Sequence, residues 1–175
     1  VKANAYGHGS VELAKEAAAC GVDAFGVASL DEAIELRAAG VVGVPILVLG
    51  YTPPHGLDAA REYDVSLTVY SEEVLDALEQ TSEHPLPLKI HIKIDTGMGR
   101  IGLRDEREAV RFIDRALALN NVSVEGLFTH SACADEADKT YTLEQHRRFA
   151  EVVGHYADRG IRFRWVHAGN SAAAI

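Results

Sequence analysis

The chain has 175 residues, of which 47% are hydrophobic, and a formal net charge of −9 at pH 7. This acidic balance excludes a general affinity for nucleic acid, because neutralising phosphates requires clustered lysine and arginine. No apolar run in this stretch approaches the roughly 20 residues that cross a bilayer, no signal peptide is present, and Cys20 and Cys133 lack metal-type spacing, so we expect a cytoplasmic protein without a metal site.

Strand and helix signals alternate along the chain. Short apolar runs bounded by turn residues predict strands, the first of them a stub at Val1. The other six strand signals are residues 24–28, 45–50, 66–70, 86–95, 122–130 and 163–168. Helical periodicity occupies residues 11–20, 30–39, 56–63, 72–80, 105–120 and 142–159. The chain therefore repeats a strand–helix unit almost throughout.

Capping residues support the predicted helix starts. Ser10, Ser29 and Ser71 each precede a periodic segment and are predicted to be N-caps. Glu32 stands at the capping-box position of the second of these helices, and Asp105 begins a later one.

Repeated β-α units with apolar strands predict a parallel sheet covered by helices. An open doubly wound sheet and a closed eight-stranded barrel both satisfy that pattern, and seven consecutive units favour the barrel. We therefore expect an α/β protein with a (β/α)8 TIM barrel, present here from the end of strand 1 to about strand 7. Residues 1–175 are predicted to be one barrel domain truncated at both ends, with the eighth strand beyond Ile175.

The first ten residues, VKANAYGHGS, carry the most chemical information. Lys2 follows an apolar residue, Tyr6 comes four positions later, and Gly-His-Gly completes the run. A lysine amine forms covalent adducts with carbonyl compounds, small residues let a ligand approach the backbone, and a tyrosine hydroxyl can hold an oxyanion. The run is typical of a Schiff-base lysine, although ten residues leave other interpretations open.

The segment LKIHIKID places charged and apolar residues on opposite faces of one strand. Period-two alternation puts the isoleucines on one side and Lys89, His91, Lys93 and Asp95 on the other. The isoleucines suit the layer under the helices, so we expect the charged set to point into the barrel. A polar edge strand of an open sheet would produce the same pattern.

Further polar residues follow other strand ends. The glycine-containing loop Thr96-Gly-Met-Gly-Arg100 returns an arginine that can donate two parallel hydrogen bonds to an anion. His130 ends the sixth strand signal, and His167, Asn170 and Ser171 follow the seventh. A single strand-end histidine is more often a core group, and a loop arginine is often a surface residue. Their shared position at strand ends indicates one site at the mouth of the barrel.

Four runs together resemble the alanine racemase family: VKANAYGHG, KIDTGMGRIGL from Lys93, GLFTHSACADE from Gly126, and HAGNSAAAI from His167. They span the chain in order, and the first two are highly specific. The resemblance implies a pyridoxal-phosphate enzyme with an eight-stranded N-terminal barrel and a C-terminal β domain. It also implies a head-to-tail homodimer that supplies D-alanine for peptidoglycan.

The resemblance implies roles for the residues that touch the cofactor. Lys2 matches the lysine that holds the cofactor as a Schiff base and acts as one of two catalytic bases. Tyr6 and Ser171 match ligands of the cofactor phosphate. Arg100 matches the arginine that binds the cofactor's phenolic oxygen and the substrate carboxylate.

The remaining matches concern supporting residues. Lys93 matches a lysine that is carbamylated in many members, which turns a cation into an anion able to position Arg100. His130 matches a histidine that supports the arginine facing the pyridine nitrogen, and His167 and Asn170 match positions near the cofactor.

By the same resemblance, the arginine at the pyridine nitrogen lies after Ile175, and the second base is a tyrosine of the other subunit's C-terminal domain. The expected reaction is racemisation of L- and D-alanine by two bases on opposite faces of the α-carbon, and the stretch alone is expected to be inactive.

Three alternatives remain from the sequence. A serine racemase of the same family would share these residues. A non-catalytic pyridoxal-phosphate carrier keeps the lysine but lacks the KIDTGMGR run. A barrel that binds a phosphorylated sugar would use Lys2 as an aldolase lysine, but leaves Lys93 and Arg100 unexplained.

Overall fold

The computed structural model describes residues 1–81 and 85–174, and the six strands within these ranges run parallel in one sheet. They are β1 (Phe25–Val27), β2 (Ile46–Val48), β3 (Ser66–Val69), β4 (Leu88–Lys93), β5 (Val122–Phe128) and β6 (Trp165–His167). Each strand pairs with the next one along the chain, so the spatial order is the sequence order. A doubly wound sheet requires a reversal of that order. The sheet instead curls into part of a barrel, which confirms the predicted fold class.

Helices connect the strands and cover the outer face of the sheet. They are α1 (Lys2–Gly7), α2 (Ser10–Ala19), α3 (Leu30–Ala38), α4 (Leu57–Glu62), α5 (Glu72–Gln80), α6 (Glu106–Leu117), α7 (Thr140–Asp158) and α8 (Ser171–Ala174). A 3₁₀ turn, Pro54–Gly56, precedes α4. The predicted helices are therefore present, with ends that agree to within three residues.

The sequence predicted the end of a strand at Val1, but the structure does not assign Val1 to a strand. Val1 lies outside the six strands, but its amino group donates a hydrogen bond to the carbonyl of Gly26 in β1 at 3.1 Å. Val1 therefore lies beside the free edge of β1, where the preceding barrel strand is expected.

The segment α1 is a left-handed turn. Its residues Ala3 to Tyr6 have φ between 51° and 54°, a conformation that costs about 1–2 kcal/mol per residue away from glycine. Glu32 helps to hold the turn, because its carboxylate accepts hydrogen bonds from the amides of Ala3 at 2.9 Å and Ala28 at 2.6 Å. The carboxylate of Glu32 thus ties α1 to the end of β1.

Three of the four predicted helix starts are confirmed. Ser29, Ser71 and Asp105 each accept a hydrogen bond from the amide three residues ahead. The prediction for Ser10 is wrong, because Gly9 is the N-cap and Ser10 is the first helical residue. The amide of Ser10 donates instead to Asn4 Oδ1 at 2.9 Å. An asparagine side chain of α1 therefore accepts a hydrogen bond at this helix start, where a serine hydroxyl was expected to be the acceptor.

The hydrophobic core lies between the sheet and the helices. Ile90 and Ile92 of β4 are fully buried in it, as alternation predicted, and α6 contributes Phe112 and Ile113. Outward-facing apolar side chains of a curled sheet pack against the apolar faces of the surrounding helices. The polar side chains of β4 therefore face the interior of the barrel.

No helix in the described ranges is both long and apolar enough to cross a membrane. The same residues contain no group of three or more metal-ligating side chains, and Cys20 and Cys133 are free thiols.

Arg37 is expected to contribute strongly to stability. Its guanidinium donates to four backbone carbonyls, those of Val41, Val44, Tyr63 and Asp64, at 2.8–3.1 Å. We expect Arg37→Ala to lower the free energy of unfolding by about 2–3 kcal/mol, because these carbonyls lose their shared donor. Urea unfolding of the intact protein, followed by circular dichroism, measures the change.

The matched control is exposed Arg162→Ala, which should stay within about 0.5 kcal/mol of the wild type. An Arg37→Ala protein as stable as this control would contradict the assignment.

Candidate functional site

Basic side chains converge at the carboxyl ends of the strands. The pKa of His130 is lowered first by burial and then by the positive charges of Lys93, Arg100 and Lys2. Residues from α1, β4, the loop after β4 and the end of β5 therefore share one electrostatic environment. The structure brings together four residues that the sequence placed at strand ends.

Lys93 is the most deeply buried of these cations. It is the last residue of β4, is 4% exposed, and has its Nζ 4.5 Å from the centre of the Phe128 ring. Burial and then the charge of Arg100 lower the pKa of Lys93 to about 8, which Asp95 only partly opposes. At pH 7 about a tenth of such an amine is uncharged, which makes it nucleophilic.

The loop after β4 is a closed turn that returns Arg100 toward Lys93. Backbone hydrogen bonds join Lys93 and Asp95 to Leu103 at 3.0 and 2.8 Å. Gly102 makes this closure possible, because a Cβ there would lie 2.8 Å from the Asp95 amide and 2.9 Å from Lys93 Cγ. The predicted tight glycine loop is therefore present, and Arg100 is an exposed residue of it.

Asp95 braces this loop. Its carboxylate accepts hydrogen bonds from the amides of Gly97 at 3.1 Å and Gly99 at 3.0 Å and from Arg104 at 3.3 Å. Burial acts to raise the pKa of Asp95, but these donors outweigh burial and hold it below its ordinary value. The charged carboxylate of Asp95 therefore stabilises the conformation of this loop.

Lys89, at the start of β4, lies at the opposite end of the strand from this cluster. Its amine pairs with Asp64 at 2.5 Å. Of the four charged residues that alternation placed on one face, His91 and Lys93 are therefore the two inside the barrel near the site.

A row of rings continues inward from Lys93. His167 stacks on Phe128 with ring centres 4.7 Å apart and planes 7° from parallel. His167 Nε2 lies 3.1 Å from Nδ1 of His91. His91 and His167 also line a cavity of about 400 Å³ inside the curled sheet.

Gln145 joins the loops around the site, and sequence reasoning missed it. This fully buried α7 side chain donates to the carbonyl of His130 at 3.3 Å and to Thr96 Oγ1 at 3.4 Å, and accepts from the amide of Ala132 at 2.9 Å. Thr96 in turn contacts Thr129 at 2.8 Å through their hydroxyls. The sequence feature that could have identified Gln145 is a glutamine among the apolar residues on one face of an amphipathic helix.

The segment after β6 lies next to the loop after β5. Asn170 donates to the carbonyl of Ser131 at 3.2 Å and accepts from the amide of Ala173 at 3.1 Å. Ser171, which begins α8, is exposed. Tyr6 is 72% exposed, and its ring centre lies 5.9 Å from Lys2 Nζ.

The donor set suits a small anionic ligand that carries a carbonyl group. Lys93, Arg100 and Lys2 depress the pKa of His130 by mutual proximity, and a bound anion would relieve that repulsion. Tyr6 and Ser171 carry hydroxyls in segments far apart in sequence, and both residues are exposed. An exposed lysine amine at the edge, Lys2, is available for a covalent bond.

Comparisons with known proteins identify the same family along the whole chain. The profile of the family described as "Alanine racemase, N-terminal domain" matches residues 1–175. The alanine racemase of Desulfovibrio desulfuricans is 46% identical over 176 aligned residues, which cover 100% of this chain and 47% of that protein. The chain therefore spans about half the length of the curated relatives it matches.

Solved structures agree with the sequence comparison. An alanine racemase from Clostridium difficile superposes with a TM-score of 0.92 at 39% identity, covering 98% of this chain and 48% of that one. A histidine racemase from Leuconostoc mesenteroides superposes with a TM-score of 0.88 at 32% identity, covering 99% and 46%.

Proposed function

Since the chain belongs to the alanine racemase N-terminal domain family, we propose that the intact protein interconverts L- and D-alanine with pyridoxal 5′-phosphate as cofactor. The observation that carries the proposal is that the positive charges of Lys93, Arg100 and Lys2 all act on His130. Such a concentration of positive charge would suit an anionic cofactor together with an amino-acid carboxylate.

The residues present fit the cofactor. Lys2 would supply the amine for its aldehyde carbon, and Tyr6 and Ser171 would supply hydroxyls for its phosphate. Arg100 would donate to its phenolic oxygen. His130, which follows β5, and His167 and Asn170, at and after the end of β6, are proposed to line the cofactor site. When bound, the cofactor supplies an electron sink for the bond that the α-proton leaves.

The chain's own contribution to catalysis is proton transfer and orientation. Lys2 takes the α-proton at Nζ from one face of the substrate or returns it there. Inversion requires a second base on the other face, which the proposal assigns to a tyrosine outside residues 1–175. Arg100 orients the substrate carboxylate through its planar pair of donors.

We also propose that the protein is a cytoplasmic homodimer that provides D-alanine for peptidoglycan. The free thiols of Cys20 and Cys133 agree with a reducing compartment. A dimer supports the two-base scheme, because the second base is proposed to come from the other subunit.

The direct test is a chiral assay of the intact protein with L-alanine. D-Alanine should form, and formation should depend on added pyridoxal 5′-phosphate in protein stripped of it. L-Serine and L-histidine serve as competing substrates, since the same fold carries a histidine racemase. A cofactor-loaded protein that racemises none of the three would exclude a racemase and favour a carrier. Preference for serine or histidine would overturn alanine as the substrate.

Lys93 is proposed to be carbamylated, and the low pKa supports this. An uncharged amine adds carbon dioxide and releases one proton to solvent, and the resulting carbamate anion would pair with Arg100, whereas the cation repels it. We expect Lys93→Ala to lose activity about tenfold or more. Added bicarbonate should not restore it, because the amine is gone, and small carboxylic acids should restore part of it. Racemase kinetics with and without acetate make the measurement.

The matched control is Lys89→Ala, which removes a lysine of the same strand away from the site. Full activity in Lys93→Ala would contradict the carbamate.

A further inference from the structure

Two histidines from non-adjacent strands meet inside the sheet. His91 lies on β4 and His167 on β6, with β5 between them. Nδ1 of His91 is 3.1 Å from Nε2 of His167, within hydrogen-bond distance, and His91 is only 5% exposed. Because the two strands are not neighbours, this contact requires a gap in the side chains of β5.

Gly126 of β5 supplies that gap. It is in register with His91 on one side and with Trp165 on the other. A Cβ on Gly126 would lie 2.6 Å from His91 Nδ1 and 2.9 Å from the carbonyl oxygen of Trp165. Any side chain here would therefore occupy the space through which His91 reaches His167.

A shift in register places this glycine beside His91. Ile90 pairs with Val124, but the next residue, His91, pairs with Gly126, so Glu125 is skipped. A regular ladder would set Glu125 against His91. The irregularity and the glycine thus act together to bring the two imidazoles into contact.

His167 is held on its face as well as at its edge. The Phe128 ring stacks on it at 4.7 Å, and the amine of Lys93 lies 4.5 Å from the centre of that same phenyl ring. His167 is therefore fixed between two rings: the phenyl ring of Phe128, which Lys93 also contacts, and the imidazole of His91.

Both imidazoles are uncharged near neutral pH. Burial and then the neighbouring His167 lower the pKa of His91 to about 3, and burial and then the charge of Lys93 lower the pKa of His167 to about 4. Between two neutral rings, one nitrogen must donate and the other accept. Whichever ring donates, the outer nitrogens, Nε2 of His91 and Nδ1 of His167, are left as one acceptor and one donor.

We propose that His91 is a positioning residue that fixes the ring orientation and the tautomer of His167. The pairing itself belongs to the fold. Its consequence for cofactor binding rests on the proposed function, which places His167 in the cofactor site. His91 thereby sets whether His167 presents a donor or an acceptor to whatever lies at the mouth of the barrel.

The test follows the ring nitrogens of His167 by ¹⁵N NMR in the intact, cofactor-free protein labelled at histidine. The wild type should show a single tautomer of His167 from pH 6 to 8. His91→Phe keeps a ring in the space but removes the partner nitrogen, so the two nitrogen shifts of His167 should move toward averaged values. His91→Asn places a polar atom near the former Nδ1 and should restore the single tautomer.

Two further variants keep the test independent of the stability of His91→Phe. Gly126→Ala leaves both histidines in the chain but displaces His91, and it should give the same averaging. His155→Phe, at an exposed histidine of α7, should leave His167 unchanged. A single tautomer of His167 in both His91→Phe and Gly126→Ala would overturn the proposal.

Cofactor affinity separates this inference from the proposed function. Equilibrium titration with pyridoxal 5′-phosphate should give a dissociation constant about tenfold higher for His91→Phe than for His91→Asn, the loss expected for one hydrogen bond. A lost tautomer with unchanged affinity would overturn the link to the cofactor site. A wild type that binds no cofactor would overturn the proposed function, while the nitrogen shifts would still decide the role of His91.

Discussion

Lys2→Ala is expected to lower kcat/KM for alanine racemisation by about a thousandfold or more in the intact protein. Under the proposed function, the variant loses both the covalent attachment of the cofactor and one of the two bases, and each of these roles contributes orders of magnitude. Chiral chromatography of D-alanine formed from L-alanine, and of the reverse reaction, measures the loss in both directions. Lys15→Ala, at an exposed position of α2, is the matched control and should retain full activity.

Borohydride reduction tests the covalent role of Lys2 without any turnover. Reduction of the cofactor-loaded protein should attach the cofactor to the peptide that contains Lys2, which mass spectrometry identifies. Labelling of a different lysine, or no labelling in a protein that retains cofactor, would contradict the assignment. Lys2→Ala should bind added pyridoxal 5′-phosphate reversibly and release it on dialysis.

Arg100→Ala is expected to lower kcat/KM by about a hundredfold, with Arg100→Lys in between. Under the proposed function, the alanine variant leaves the substrate carboxylate and the cofactor's phenolic oxygen without their charged donor, a loss of the size seen for truncated charge pairs. Lysine keeps the charge but lacks the planar pair of donors, so KM should rise more than kcat falls. Arg107→Lys, at an exposed position of α6, is the control.

The same variant has an electrostatic consequence that does not depend on activity. The charge of Arg100 lowers the pKa of both Lys93 and His130. Its removal in Arg100→Ala should therefore raise both pKa values, and the ring protons of His130 should titrate at a higher pH by NMR. An unchanged His130 titration would mean that Arg100 does not lie in the cluster.

Sequence reasoning predicted most of the architecture because its signals are local. Apolar runs between turns marked the six strands, and Ser29, Ser71 and Asp105 marked helix starts through hydrogen bonds that span three residues. The wrong cap at Ser10 has a non-local cause, since the competing acceptor is a side chain of the left-handed turn α1. That turn carried no signal, because non-glycine residues rarely adopt its conformation.

The candidate site was predictable in part for the same reason. Alternation along β4 placed Lys93 inside, and the shared position at strand ends grouped it with Lys2, Arg100 and His130. Gln145 was missed because its three partners lie in two loops, 13 to 49 residues away in sequence, that only the fold brings together. Asp95 was placed with the inward set, whereas the loop amides that it binds depend on how the chain turns after β4.

By itself, the sequence determined the strand–helix repeat and the inward face of β4, and it singled out Lys2 as a candidate, since periodicity and short motifs express local chemistry. Only the tertiary structure decided that the strands follow their sequence order in one curled sheet, that the pKa of Lys93 falls to about 8, and that His91 contacts His167 across Gly126. Those outcomes depend on register, burial and charge across strands, and these are set by contacts between residues as many as 76 positions apart.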